Sequence, residues 1–487
     1  MAKKILRVGT LSRIGTTDIH RADDSVSAMV LKEIFETPYC LPTGPENPEP
    51  LLLGEPLKAE PGDSKRPIFS ALIRKGVLFS DGTPLTAEIM RASLATDDDV
   101  RARAAVEVSA DRIVFKLISP DPGFPIFLSH TACGVMLQRG ERFIGTGPYM
   151  FLEGISARDL LQANPLVLVK NPHYRSPIPI DEIHFSMFPP SSGGGTENLL
   201  AAAKEGAIDF TYSLTSVDAA ELQGFPFMPS ISTGNSTGML ILNTTAPSLR
   251  NPVVRKAIAR SIDRRQIASK AYPKNPLAYV ASSILPPLMG RESKETLSFN
   301  PREVAAMLER EKVTLPSRLS LQILWSPRPY MPNPKEAAEV IREQLSTIGI
   351  SVNVVTPKSR DEFLDTLKKG AFELSLSGWI SDTADPADFL ESCLASWNIS
   401  NASKVTSTSN NHAHYASPAM DKALQEFRAN QTAEARARIM ELLEQDAPIL
   451  PLIYGQMVAV YARRIRGFRA SAISSGRMSF SKVDLTD

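Results

Sequence analysis

The stretch from Gly238 to Tyr272 constrains the fold of this chain more tightly than any other. It opens on an apolar run, Met239-Leu240-Ile241-Leu242, which reads as a short strand ending at Asn243. After a turn, Asn251 can cap a helix whose first position is Pro252, where a missing N–H costs nothing. Val254, Ala257, Ile258 and Ile262 then share one helical face. Asp263, with Gln266 three residues on, reads as the cap of a second short helix. Taken alone, this is a strand–turn–helix unit.

The chain beyond it alternates strand and helix. Leu319 to Trp325 reads as a strand, and a helix capped by Asn333 runs from Pro334 to about Ile348, where Gly349 stops it. Ile350, Val352 and Val354 alternate as a strand, Asp361 to Lys369 is a helix, and Phe372 to Trp379 is a further strand. Such alternation predicts an α/β sheet with right-handed crossovers. Ser417 and Thr432 start two later helices, and a last strand lies near Val458 to Tyr461. Toward the N-terminus, Leu6, Val8 and Thr10 fit a strand, Ser27 to Phe35 a helix, and the proline-dense residues 38–67 a loop-rich boundary. Asp81-Gly82 is a turn signal, and Thr86 can cap the helix that follows it. With 487 residues the chain is too long for one core, so two or three lobes are expected.

Several function classes find no support. A formal charge of +1 leaves no electrostatic footprint for nucleic acid or an anionic membrane. The three cysteines, Cys40, Cys133 and Cys393, are too scattered for a disulfide framework or a zinc site. No run approaches the roughly 18 apolar residues of a membrane span. Met1-Ala2-Lys3-Lys4 is basic but no apolar signal core follows, so an exported protein without its leader and a cytoplasmic one both stay open. Gly145-Thr146-Gly147 lacks the third glycine of a dinucleotide fingerprint, and Gly193-Gly194-Gly195 lacks the lysine of a phosphate loop. No nucleophile elbow occurs. Of the six histidines only His412 and His414 make a pair, more simply read as part of a polar loop than as metal ligands. Neither a catalytic residue nor a cofactor is expected.

A binding site has a better candidate, the segment Ser377 to Pro386, directly after a predicted strand. Strand ends in α/β lobes face clefts, and a carboxylate there can pair with a ligand ammonium. The plainer alternative makes Asp382 and Asp385 turn residues and Trp379 a core aromatic.

The motifs, in their order, resemble bacterial extracellular solute-binding proteins of the oligopeptide, dipeptide and nickel class, family 5. The resemblance rests on Gly76 to Ala87, with Ile89 where that family usually has Asp, on Gly145 to Tyr149, and on Leu166 to Tyr174. It continues through Ala201 to Asp209, Val254 to Arg264, Gly378 to Pro386 and Pro448 to Tyr454. It implies an α/β, two-lobed, periplasmic-binding-protein-like clamshell of the cluster C type. Lobe I would be residues 1–37, 143–243 and 455–487, lobe II residues 244–454, and residues 38–142 an abbreviated subdomain attached to lobe I. Crossings near Asn243 and Gly455 would form the hinge. By the same resemblance Asp382 would anchor a peptide α-ammonium, with Trp379, Asp385, Tyr39, Tyr149 and Trp397 lining the cleft. The implied function is capture of a solute, most simply a peptide, and delivery to the permease subunits of an ABC transporter outside the cytoplasm. A monomer that binds a small molecule or peptide, and neither nucleic acid nor a membrane, is expected. The alternatives are a cytoplasmic ligand sensor acting on a protein partner, and a binder of a metal chelate or other non-peptide solute. An enzyme has no supporting constellation.

Overall fold

The apolar run at Met239 is the inner end of a much longer strand, Phe227–Leu242, and the run from Pro448 belongs to another long strand, Ile449–Ala462. These two strands carry the chain between two units of a computed structural model. Unit 1 is Met1–Ser232 with Met457–Asp487, and unit 2 is Thr233–Gln456. The boundary therefore falls inside the outbound strand, upstream of Asn243, and just after Gly455 on the return strand. The structure describes residues 3–22, 24–41, 48–188, 195–272, 279–290, 295–381, 383, 385–399, 410–469 and 479–486.

In unit 1 the strand Ile5–Thr10 lies parallel between Glu182–Met187 and Phe210–Thr211. Leu166–Lys170 and Tyr149–Phe151 extend that sheet antiparallel on one side, and Tyr461 of the return strand pairs with Phe210 on the other. Leu6, Val8, Leu168, Ile183 and Phe210 are buried beneath the helix Ser25–Leu31. That helix begins earlier than its apolar pattern suggests, because Asp24 caps it through the Val26 and Ser27 amides, and it ends sooner, at Leu31. A second sheet orders Lys58–Glu60, Ile68–Leu72, Arg112–Leu117 and Ala104–Ser109 around its own core of Phe79, Met90, Ile113 and Phe115. Asp209, the last residue of the Ala201 to Asp209 stretch, is gripped by the Arg7 and Arg464 guanidinium groups at 2.9 Å.

In unit 2 the outbound strand pairs antiparallel with Leu374–Ile380 from Ser236 opposite Ile380 to Leu242 opposite Leu374. Arg318–Gln322 follows in parallel, and Ser351–Val355 beyond it. The helices Pro252–Arg260 and Pro334–Ser346 bury Val254, Ala257, Ile258, Ile341 and Leu345. Local chemistry sets these boundaries. The Asn251, Asp263, Ser417 and Thr432 side chains each accept a backbone N–H at the start of a helix. Gly349 takes φ +82 just after Pro334–Ser346, the left-handed geometry a helix stop requires. Asn333 does not act as expected: it precedes that helix but makes no capping bond, and its amide donates instead to the Lys270 carbonyl at 2.8 Å.

Candidate ligand-binding site

The candidate segment leaves the sheet of unit 2 at the end of Leu374–Ile380. Trp379, opposite Thr237 in the register, is half-buried there rather than sealed in the core. Beyond it the backbone is pinned from both sides. The Ser381 N–H donates to the Asn235 carbonyl at 2.9 Å, and the Asn235 amide donates back to the Ser381 carbonyl. The Thr383 hydroxyl donates to Asp388 at 2.8 Å and accepts the Asp385 N–H at 3.1 Å. Asp382 lies outside the described residues.

Asp385 is fully buried and has a structural task. Its carboxylate caps the helix Pro386–Leu394 through the Ala387 N–H and accepts bonds from Arg428 and Gln431, both at 3.1 Å. Arg428 also binds Asp388 at 2.6 Å and Glu391 at 2.7 Å. Its guanidinium holds its proton more tightly than an ordinary arginine, since the surrounding carboxylates outweigh burial. The cap of the helix after the site is thus clamped, and Asp385 serves as an anchor of the scaffold.

Tyr39 and Tyr149 are held elsewhere than in the segment around Trp379. Both lie in unit 1 cores, 3% and 1% exposed, because their rings fill apolar space and their hydroxyls find backbone partners. The Tyr39 oxygen accepts the Leu57 N–H, and the Tyr149 hydroxyl donates to the Ile180 carbonyl. Trp397 sits half-buried in the short helical turn Ser396–Asn398 of unit 2. His412 is buried, which pushes its pKa down to about 3 with a further contribution from His414. His414 uses its Nε2–H on the Leu367 carbonyl at 2.8 Å. Among the described residues no group of His, Cys, Asp and Glu could hold a metal ion.

The structure adds a residue that the sequence reading does not single out. Arg328 stands on a tight turn, where its N–H donates to the Met331 carbonyl at 3.0 Å and the Met331 N–H returns the bond at 2.9 Å. Its guanidinium carbon lies 4.2 Å from the centroid of the Trp325 ring. Among the described residues it has no carboxylate partner. Burial lowers its pKa from the usual arginine value, Tyr330 opposing that effect and Arg360 adding to it. A half-buried guanidinium of this kind has the geometry to pair with an anion. The Tyr330 ring of the same turn lies over Gly378, the neighbour of Trp379, so the Arg328 turn and the Trp379 strand end meet on one part of unit 2. Beside them Asn235 Oδ1, Ser236 Oγ, Thr237 Oγ1 and Gln456 Oε1 are buried and have no hydrogen-bond partner among the described residues. The signal for Arg328 was in the chain: Pro327-Arg328-Pro329 follows the Arg318–Gln322 strand, and a charged residue at a strand end is what drew attention to Asp382.

The family model for bacterial extracellular solute-binding proteins, family 5 (middle region), matches residues 69–401. The chain belongs to that family. Among curated relatives, the peptide transport periplasmic protein SapA of Salmonella typhimurium is 30% identical over 260 residues, 51% of this chain and 44% of SapA. Heme-binding protein A of Haemophilus influenzae is 24% identical over 337 residues, 67% of this chain and 57% of that protein. The matched part thus spans about half the length of these solute-binding relatives. The fold extends further: the dipeptide binding protein from Pseudoalteromonas, solved with Met-Leu, superposes with a TM-score of 0.81 at 18% identity, covering 99% of this chain and 100% of that one. This family member has the α/β fold of the two-lobed periplasmic binding proteins. Among its described residues no helix is long and apolar enough to cross a membrane.

Proposed function

We propose that this solute-binding protein captures a small peptide outside the cytoplasm and hands it to the permease of an ABC transporter. The observation that carries the peptide reading is Arg328, a guanidinium stacked on Trp325 with no acid of its own among the described residues. It suits a terminal carboxylate, because a planar fork and a carboxylate bind in two places at once. Asp382, after the Trp379 strand end, suits the opposite end of the ligand, an α-ammonium. A zwitterion held at both ends leaves its side chains to looser contacts, so peptides of varied sequence can be taken. The side-chain oxygens of Asn235 and Gln456, which have no partner among the described residues, supply acceptors for peptide N–H groups or for bridging water. The likeness to SapA and to the Met-Leu-bound dipeptide binding protein agrees with this reading.

The test is calorimetric titration with a mixed dipeptide and tripeptide library, after bound solute has been removed by unfolding and refolding. Wild-type protein is expected to bind. Asp382→Ala and Arg328→Met are each expected to weaken binding by about 10- to 100-fold, the worth of a charge-assisted hydrogen bond. Unchanged affinity in both variants would overturn the reading, as would a wild-type protein that binds no peptide.

A further inference from the structure

We infer that Tyr330 is a positioning residue for the Arg328 guanidinium, and that three glycines on neighbouring strands exist to seat it. The inference rests on the reading of Arg328 as the group that receives a ligand carboxylate. Gly238 and Gly378 face each other in the register of the outbound strand and Leu374–Ile380, and Gly455 belongs to the return strand. A Cβ on Gly378 would lie 2.5 and 2.6 Å from two carbons of the Tyr330 ring. One on Gly238 would overlap the Tyr330 carbonyl oxygen, and one on Gly455 would overlap the Ser236 Oγ first and then come to 3.0 Å from the Tyr330 Cα. Backbone, carbonyl and ring of one tyrosine thus rest on a bed that no larger residue could form.

The turn is fastened from above as well. The Pro329 carbonyl accepts the Tyr272 hydroxyl at 2.7 Å and the Gln456 N–H at 3.3 Å. Between the Pro329 anchor and the bridge to Met331, Arg328 has little freedom left in its backbone. Its side chain then stacks on the Trp325 ring, with Tyr330 near enough to act on its charge. None of the glycines needs a positive φ, so conformational freedom does not explain them; close approach does. A receptor charge needs this rigidity, since a guanidinium displaced by about 1 Å loses its paired hydrogen bonds to a carboxylate.

The experiment compares a free-acid tripeptide library with the same library amidated at the C-terminus and, separately, acetylated at the N-terminus. Wild-type protein should prefer acid to amide by about tenfold or more. Gly378→Ala, which pushes the Tyr330 ring off its seat, should bring that preference close to one while the penalty for acetylation is kept. Since the new methyl would also meet the Thr237 carbonyl oxygen at 2.6 Å, Tyr330→Ala serves as a second variant that empties the seat without forcing it. It should lose the preference in the same way, and Tyr330→Phe should retain it. An acid-over-amide preference that survives in a folded Gly378→Ala or Tyr330→Ala variant, with both libraries weakened equally, overturns the positioning role. A preference absent from the wild type, or kept by Arg328→Met, instead overturns the assignment of Arg328 itself.

Discussion

Single residues show where the chain's punctuation came from. Gly145 and Gly147 look like part of a phosphate fingerprint, yet their task is packing. A Cβ on Gly145 would stand 2.7 Å from the Ile34 carbonyl carbon and 2.8 Å from the Phe35 ring, and one on Gly147 2.5 Å from the Glu33 carbonyl oxygen. Thr146 between them donates to the buried Glu36 carboxylate at 2.9 Å. Gly145→Ala should therefore destabilise the protein by about 1–3 kcal/mol or more, as overpacking does, measured by urea unfolding. Tyr39 and Tyr149 were illegible as core residues because an aromatic with a hydroxyl suits a core and a ligand cleft equally well in sequence. Arg328 has a readable place after a strand, but what singles it out among 54 lysines and arginines is that no carboxylate stands beside it among the described residues, which only three-dimensional neighbours reveal.

At the scale of elements the sequence was most readable where one side chain acts on its own backbone. Thr86, Asn251, Asp263, Ser417 and Thr432 all cap as their types demand, since the interaction is local. Asn333 fails because a carbonyl distant in sequence, that of Lys270, takes its amide. Two predictions belong here. Arg428→Leu leaves Asp385, Asp388 and Glu391 facing one another in a buried place, and should cost about 3–5 kcal/mol in chemical unfolding. The second concerns Glu33, just after the Ser25–Leu31 helix, which accepts the Phe480 N–H at 2.9 Å and so ties residues 479–486 to the N-terminal part of unit 1. Burial pushes the Glu33 carboxyl from 4.5 up to about 8, opposed by the Phe480 N–H, Lys32 and Ser479, while the Tyr149 and Tyr212 hydroxyls lie near enough to feel its charge. The folded state keeps a proton that the unfolded chain gives up, so this contribution is whole below about pH 4.5 and is lost as the pH rises toward 8. Glu33→Gln should flatten that dependence, seen as equal protection of the Phe480 amide against hydrogen exchange at pH 5 and pH 8 once intrinsic exchange rates are allowed for.

For the whole molecule, the α/β class and the family were readable because they depend on the order of many moderately specific motifs rather than on any one contact. Where the chain passes from one unit to the other was less so, since each crossing lies within a continuous strand, where the nearby Gly234 and Gly455 do not interrupt the pairing pattern. Ligand binding to the native state alone should raise stability by about 2.7 kcal/mol at a hundredfold excess over Kd. The expected sign is slower hydrogen exchange at Arg328 and Met331, with the amides of Ile5–Thr10 unaltered.

The outbound and return strands also set a timetable. Unit 2 is one uninterrupted length of chain, whereas unit 1 is written in two instalments with unit 2 between them. On the ribosome, residues 233–456 are all available to one another before Arg464 exists to complete the grip on Asp209 or Phe480 to satisfy Glu33. The later-made piece is the earlier one able to finish, and the first-made piece must wait, half-built, for its last strand.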